Sequence, residues 1–177
     1  MTETETRQAL GRAKNAVQEY LIRKLLVPKI YLDAEWSGGR VDVLAVDRAG
    51  VGDVHAVEIR NYLSHPFRGY DGIPDEQTMR TLAEIPAHFK YVALVTDSPA
   101  FGEFKPSAEV GLRVLAPDGV GRLGILVADF SRPNVSVEAV LKPERFRSSK
   151  EVIDLADQFV AGHTANWEVR DEPTAAT

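Results

Sequence analysis

The sequence has no cysteine among its 177 residues, so it can form neither disulfides nor thiolate zinc sites, and it has no cysteine nucleophile. It contains no run of about 18 consecutive apolar residues, the minimum for a transmembrane helix, which argues against a membrane protein. No Gly-x-Ser-x-Gly motif is present, which argues against a serine hydrolase. The acidic, polar start at residues 1–6 is unlike a signal peptide. Together these absences predict a cytoplasmic protein.

Basic residues are outnumbered by acidic ones: 21 Lys and Arg against 26 Asp and Glu give a formal net charge of -5. Proteins that coat nucleic acid without sequence preference are usually basic overall, so a histone-like role is disfavoured. An enzyme that cuts nucleic acid remains compatible with this charge. Its active site needs only a local basic rim, and its metal ligands are themselves acidic.

The histidines and the glycine-rich segment carry no recognisable site. The four histidines are dispersed without the paired spacing of a zinc site, and we expect surface or helix-capping positions for His55, His65, His88 and His163. Residues 119–124 match no phosphate-binding loop, and we interpret them as a hairpin turn.

Apolar periodicity predicts one domain over residues 7–162, between flexible tails at 1–6 and 168–177. Helices are predicted at 6–26, 76–87, 103–110 and 148–161, the last with Ser149 as its cap. Strands are predicted at 29–36, 41–46, 54–59, 91–96, 112–116, 124–129 and 135–141. Short turns join the first three strands into an antiparallel meander. A helix then leads to the fourth strand, so the pattern indicates an α/β fold with a layered sheet.

Two neighbouring strands each carry one carboxylate among apolar residues, Asp42 in the second and Glu58 in the third. Glu58 and Arg60 share a face because side chains alternate along a strand, and Asp42 can converge on them if the strands pair in suitable register. A carboxylate in such a place needs a cation or hydrogen-bond donors. The pattern therefore favours a divalent-metal site beside a phosphate. The alternative is a set of structural ion pairs, Asp42 with Arg40 or Glu58 with Arg60.

The order of these elements over residues 7–96, with Gly-Gly-Arg-Val-Asp ending at Asp42 and Val-Glu-Ile-Arg ending at Arg60, resembles the PD-(D/E)xK phosphodiesterase superfamily. The resemblance implies a restriction-endonuclease-like three-layer core with a mixed central sheet, extended here by C-terminal strands and a helix. It also implies a Mg²⁺ or Mn²⁺ site, and its ligands would be Asp42, Glu58, the Ile59 backbone carbonyl, and Glu19 or Glu35.

Arg60 stands where this superfamily usually has a lysine, and this substitution divides the expected function. Lysine can lose its proton when desolvated, whereas arginine stays protonated and cannot act as a base. Arginine can still bind a phosphate through two parallel hydrogen bonds. One hypothesis is therefore metal-dependent hydrolysis of DNA, slow or altered, with Asp42, Glu58 and Arg60 as the catalytic residues. The other is a catalytically inactive module with the nuclease fold that binds a protein partner or nucleic acid.

Contacts to nucleic acid are expected from the basic first helix and from the loop after the third strand. The candidate contact residues are Arg40, His65, Arg68 and Tyr70. The alternative for residues 61–75 is an ordinary polar loop. Glu19 has an alternative too, a solvated ion pair with Arg23 one helical turn later. A homodimer is compatible with either function.

Overall fold

The structure is a computed structural model, and it describes residues 2–27, 29–47, 52–63, 76–97, 113–116, 119–147 and 150–168. In chain order its elements are α1 (Glu3–Leu25), β1 (Lys29–Trp36), β2 (Gly39–Val46), β3 (Val54–Asn61), α2 (Glu76–Glu84), β4 (Phe89–Thr96), β5 (Arg113–Ala116), β6 (Gly119–Arg122), β7 (Gly124–Asp129), β8 (Ser136–Leu141), α3 (Lys150–Gly162) and β9 (Trp167–Glu168). The predicted α/β class is confirmed.

Seven strands form one mixed sheet in the order β8-β7-β4-β3-β2-β1-β9. The neighbours β1, β2 and β3 are antiparallel, as the predicted meander requires. The pairs β3–β4 and β4–β7 are parallel, and β8 returns antiparallel to β7. A parallel pair needs a crossover connection, and α2 lies in the one between β3 and β4. A separate hairpin pairs β5 with β6.

The sheet has an apolar cluster on each face. On one face α1 buries its positions at four-residue spacing, Ala9, Ala13, Val17 and Leu21. On the other face Leu82 of α2 and Phe159 of α3 are buried. Alternation along β2 places Val43 in the first cluster and Leu44 in the second, both inaccessible to solvent. Burying an aliphatic side chain of this size contributes roughly 1.5–3 kcal/mol, so the two faces hold the layers together.

Helix α1 begins at Glu3, three residues before the predicted start and inside the segment predicted as a tail. A capping box sets this start: the Glu5 N–H donates to the Thr2 hydroxyl at 3.3 Å, and the Thr2 N–H donates to the Glu5 carboxylate at 2.6 Å. Apolar periodicity cannot detect such a start because the first turn contains no apolar residue. The helix ends before Leu26, which adopts left-handed backbone angles at φ 56°.

Several predicted elements change at their boundaries. Residues 119–122 form strand β6 rather than a turn, because they pair with β5. Trp167 and Glu168 pair with β1 as β9, so ordered structure extends into the segment predicted as a tail. The predicted helix at 103–110 lies outside the described residues, as do His65, Arg68, Tyr70 and Ser149.

Two of the histidines expected at the surface are buried instead. His55 is 8% exposed and stacks on Phe89 with ring centroids 4.8 Å apart. Burial lowers the pKa of His55 to about 4, so its ring is neutral at physiological pH. His88 is 1% exposed, and its Nδ1 accepts a hydrogen bond from the Val54 N–H at 3.0 Å. Among the described residues, no helix is both long and apolar enough to cross a membrane.

Candidate functional site

The register of β2 and β3 brings the two candidate carboxylates together. The ladder pairs Leu44 with Ala56 and Val43 with Val57, and the next step in this register sets Asp42 opposite Glu58. The hydrogen-bonded ladder ends at the Val43–Val57 pair, one step before Asp42 and Glu58. Asp42 Oδ2 instead accepts a hydrogen bond from the Ile59 N–H at 2.8 Å. A side-chain carboxylate thus satisfies a backbone donor of β3 beyond the end of the β2–β3 ladder.

Glu58 is buried beside Asp42, at 7% exposure, and the two side chains are within hydrogen-bonding reach of each other. Burial and then the neighbouring charge of Asp42 raise the pKa of Glu58 to about 7, against the opposing effect of Arg60. Two adjacent carboxylates cannot both ionise without a cation to compensate them. The pair is therefore poised to hold either a proton or a cation at neutral pH.

Arg60 is fixed by three hydrogen bonds. Its Nη1 donates to Glu58 Oε2 at 3.1 Å and to the Ile59 carbonyl at 3.2 Å. Its Nε donates to Thr78 Oγ1 of α2 at 2.6 Å. The Glu58–Arg60 ion pair that the sequence left as an alternative is thus present. The Ile59 carbonyl, a candidate metal ligand, already accepts a hydrogen bond from this guanidinium.

Lys14 of α1 reaches the same site from the other side of Asp42. Its Nζ lies 3.2 Å from Asp42 Oδ1 and 2.5 Å from Asp33 Oδ1 of β1. Burial disfavours its charge, but the hydrogen bonds with Asp33 and Asp42 outweigh this effect and raise the pKa of Lys14. Burial likewise disfavours the charge of Asp33, yet its hydrogen bonds with Lys14 and Arg40 leave the pKa of Asp33 lowered. Lys14 and Asp33 are therefore both ionised at neutral pH.

Arg40 lies at the rim of the site with its side chain 58% exposed. It pairs with Asp33 at 2.7 Å and lies 3.9 Å from Glu35. The alternative ion pair of Arg40 with Asp42 is replaced by these contacts. Glu35, a candidate metal ligand, is 70% exposed and lies beside Arg40.

Glu19 is not brought to the carboxylate pair. Its side chain is 66% exposed and lies 3.9 Å from Arg23, as the solvated alternative predicted. It lines a cavity of about 170 Å³ between α1 and β8. Strand β8 is the edge strand of the sheet at the side far from β1 and β2.

The carboxylates thus form a pair rather than a larger cluster. Within the described ranges, no group of three or more His, Asp or Glu side chains is arranged to hold a metal ion. Two residues of this site were not predicted from the sequence: Lys14, which contacts Asp42, and Thr78, which contacts Arg60. Each lies on a helix whose polar face looks unremarkable in sequence, although Lys14 directly follows the buried Ala13. A lysine next to a buried position of the apolar stripe of α1 is the signal that could have identified Lys14.

No protein-family model and no curated protein sequence matches the chain. A protein of unknown function from Silicibacter pomeroyi, SPO1766, has a similar fold, with a TM-score of 0.50 and 16% identity over 85% of this chain and 80% of that one. SfsA from Pyrococcus furiosus, solved in complex with Ca²⁺, matches with a TM-score of 0.37 and 15% identity over 78% of this chain and 65% of that one. The first similarity concerns the fold alone, and the second is too distant to carry an argument.

Proposed function

We propose that the protein hydrolyses phosphodiester bonds in DNA with a divalent metal held by Asp42 and Glu58, on a restriction-endonuclease-like core. The observation that carries the proposal is the strand register that sets these two carboxylates opposite each other where the β2–β3 ladder ends. Two adjacent acids repel each other, and the repulsion costs stability to the extent that cations do not compensate it. Burial, and after it the charge of Asp42, raise the pKa of Glu58.

The donor set suits Mg²⁺ or Mn²⁺. These ions prefer hard oxygen ligands, and Mg²⁺ keeps several of its waters, so two carboxylates with the Ile59 carbonyl are an adequate set. A metal bound there supplies a water of lowered pKa and neutralises charge on the phosphoryl oxygens. The Ile59 N–H holds one oxygen of Asp42 in place, which fixes the direction of that carboxylate.

Cationic side chains of this chain surround the carboxylates and suit a polyanionic substrate. Arg60 lies against Glu58, and Lys14 lies against Asp42. Arg40 at the rim is exposed enough to meet the DNA backbone. Such preorganised charges stabilise the negative charge that develops on a phosphate during hydrolysis. Arg60 contributes only in this way, because a guanidinium does not accept a proton.

The test is cleavage of supercoiled plasmid and of single-stranded DNA with Mg²⁺ or Mn²⁺. Wild-type protein should nick or degrade at least one of them, and Asp42→Asn should reduce the rate by about 100-fold or more. Asp157→Asn removes an exposed carboxylate of α3 and is the matched control, which should retain full activity. Equal rates for the wild type and Asp42→Asn, or no cleavage with either metal, would sink the proposal.

A second candidate function is a non-catalytic module that binds nucleic acid or a protein partner. The observation in its favour is that each carboxylate already has a cationic partner, Lys14 for Asp42 and Arg60 for Glu58. The four charges balance without a metal. A ligand that binds only the folded state raises the melting temperature, so Mn²⁺ should shift it for an enzyme and leave it unchanged for the module. A gain of cleavage in Arg60→Lys would identify a module that lost only its lysine.

A further inference from the structure

We propose that Lys14 contacts the phosphate at this site directly, while Arg60 contributes its positive charge from beside Glu58. This inference rests on the proposed function and adds to it a substrate-binding residue from a different element. It assigns the cation next to the reacting phosphate to α1 rather than to β3.

The first step is that the Arg60 guanidinium is committed to the protein. Three hydrogen bonds join it to Glu58, the Ile59 carbonyl and Thr78, and they involve groups of both β3 and α2. The Arg60 side chain is 30% exposed, but its Nε and Nη1 reach a phosphate only by giving up these bonds. Its role is to hold Glu58 and to tie the strand to the helix.

The second step is that Lys14 projects from the buried face of α1 directly into the site. The preceding residue Ala13 is fully buried and Val17 is too, so the helix is packed against the sheet here. The Lys14 ammonium lies 3.2 Å from Asp42 Oδ1, while Oδ2 of the same carboxylate accepts from Ile59. The side chain of Lys14 keeps 15% of its surface exposed, and that of Asp42 keeps 18%. Lys14 is thus held between Asp33 and Asp42, with a small part of its surface exposed beside the carboxylate where the phosphate would bind.

The third step is the support that Asp33 gives to this lysine. Asp33 has left-handed backbone angles at φ 51° in the middle of β1. Few residues other than glycine adopt such angles without strain, although aspartate is among the tolerated ones, and strain of this kind collects at functional sites. In this backbone conformation the Asp33 carboxylate accepts hydrogen bonds from both Lys14 and Arg40. Asp33 is therefore a positioning residue for the two cations.

In the hydrolysis itself, a water oxygen forms a new bond to phosphorus and the bond from phosphorus to the leaving sugar oxygen breaks. The proton lost by the water goes to solvent, and the leaving oxygen takes one from solvent. Lys14 stays an ammonium throughout and donates a hydrogen bond to a non-bridging phosphate oxygen. No other reactant is required.

The experiment compares Lys14→Met, Lys14→Arg and Asp33→Asn with the control Lys150→Met, which removes an exposed lysine from α3 on the opposite face of the sheet. The first readout is binding of a fluorescent DNA duplex in EDTA at a series of salt concentrations. Log affinity falls with log salt, and one lost phosphate contact reduces the magnitude of this negative slope by about 0.9. We expect this drop in Lys14→Met, a slope close to the wild type in Lys14→Arg, and no change in Lys150→Met.

The second readout is cleavage with saturating Mn²⁺, together with the melting temperature with and without Mn²⁺. Lys14→Met should cleave about 100-fold more slowly, and Lys14→Arg should recover most of this loss. Asp33→Asn keeps a residue that tolerates left-handed backbone angles, so its cleavage rate should lie between those of Lys14→Met and Lys14→Arg. The Mn²⁺-dependent rise in melting temperature should persist or increase in Lys14→Met, because a cation that competes for Asp42 has been removed.

The outcomes separate the two proposals. A Lys14→Met protein with the wild-type salt slope would overturn the role of Lys14, even if the wild type cleaves DNA as proposed. A wild type that neither cleaves nor responds to Mn²⁺, combined with a reduced slope in Lys14→Met, would reject the hydrolysis and retain the phosphate contact. If Lys14→Met lowers the melting temperature and changes neither the slope nor the cleavage rate, the ion pair is structural only and the inference is wrong.

Discussion

Asp42 lies opposite Glu58 at the point where the β2–β3 ladder ends, and the carboxylate of Asp42 takes over a backbone hydrogen bond from Ile59. This arrangement puts two acids side by side, one of them buried. Lys14 and Arg60 compensate their charge from opposite sides, one from α1 and the other from β3. The behaviour of the cluster can therefore be tested one residue at a time.

Glu58→Gln should change how the free energy of unfolding depends on pH. The pKa of Glu58 is about 7 in the folded protein against an ordinary value of 4.5, so between these values the folded state keeps a proton that the unfolded state has lost. The Glu58 contribution to stability consequently falls as the pH rises through this window. The stability of Glu58→Gln relative to the wild type should grow across the window and level off above it. Urea unfolding below, within and above the window measures this difference.

The control for that experiment is Glu138→Gln, which changes an exposed residue of β8. Its stability relative to the wild type should stay nearly constant across the same pH range. A constant difference for Glu58→Gln as well would contradict the raised pKa of Glu58.

His55 should contribute a pH dependence of opposite sign. Burial lowers the pKa of His55 from 6.5 to about 4, so between these values the unfolded state binds a proton that the folded state refuses. The His55 contribution is fully present above pH 6.5 and is lost as the pH falls toward 4. In His55→Phe, which keeps an aromatic ring against Phe89, the stability relative to the wild type should therefore decrease as the pH rises. Thermal unfolding across this range measures it, and a rising difference would refute it.

Asp42→Ala should lower the free energy of unfolding by about 1–3 kcal/mol, because the Ile59 N–H loses its acceptor and Lys14 loses one of its two carboxylates. Asp42→Asn keeps an oxygen for Ile59 and should cost less. Denaturant unfolding of the two variants at neutral pH and equal salt measures the gap. Equal losses would mean that the hydrogen bond from Ile59 contributes little and that the charge of Asp42 dominates.

Leu26→Gly should stabilise the protein by about 1 kcal/mol, since left-handed backbone angles are unfavourable for leucine and natural for glycine at a helix C-terminus. Leu26 is 79% exposed, so little buried apolar surface is lost. Leu26→Ala removes nearly the same side chain but keeps the Cβ atom, and its melting temperature should stay close to that of the wild type. A Leu26→Gly protein that melts below Leu26→Ala would show that unfolded-state entropy outweighs the relief of strain.

Much of the fold could be predicted from local patterns because those patterns have local causes. Strand β1 begins and ends at the predicted residues, and the meander follows from short turns between alternating strands. The elements that changed depend on partners distant in sequence. Residues 119–122 become a strand only because β5 lies beside them, and Trp167 extends the sheet only because β1 is an available edge.

For the site, local patterns are enough to place Asp42, Glu58 and Arg60 on neighbouring strands, because alternation and short connections leave few ways to pair those strands. Which cation meets which carboxylate depends on the packing of the helices against the sheet. The docking of α1 brings Lys14 to Asp42, and the position of α2 brings Thr78 to Arg60. These contacts depend on how helices pack across a sheet. That packing is set by the summed burial of many side chains rather than by the spacing of any one motif.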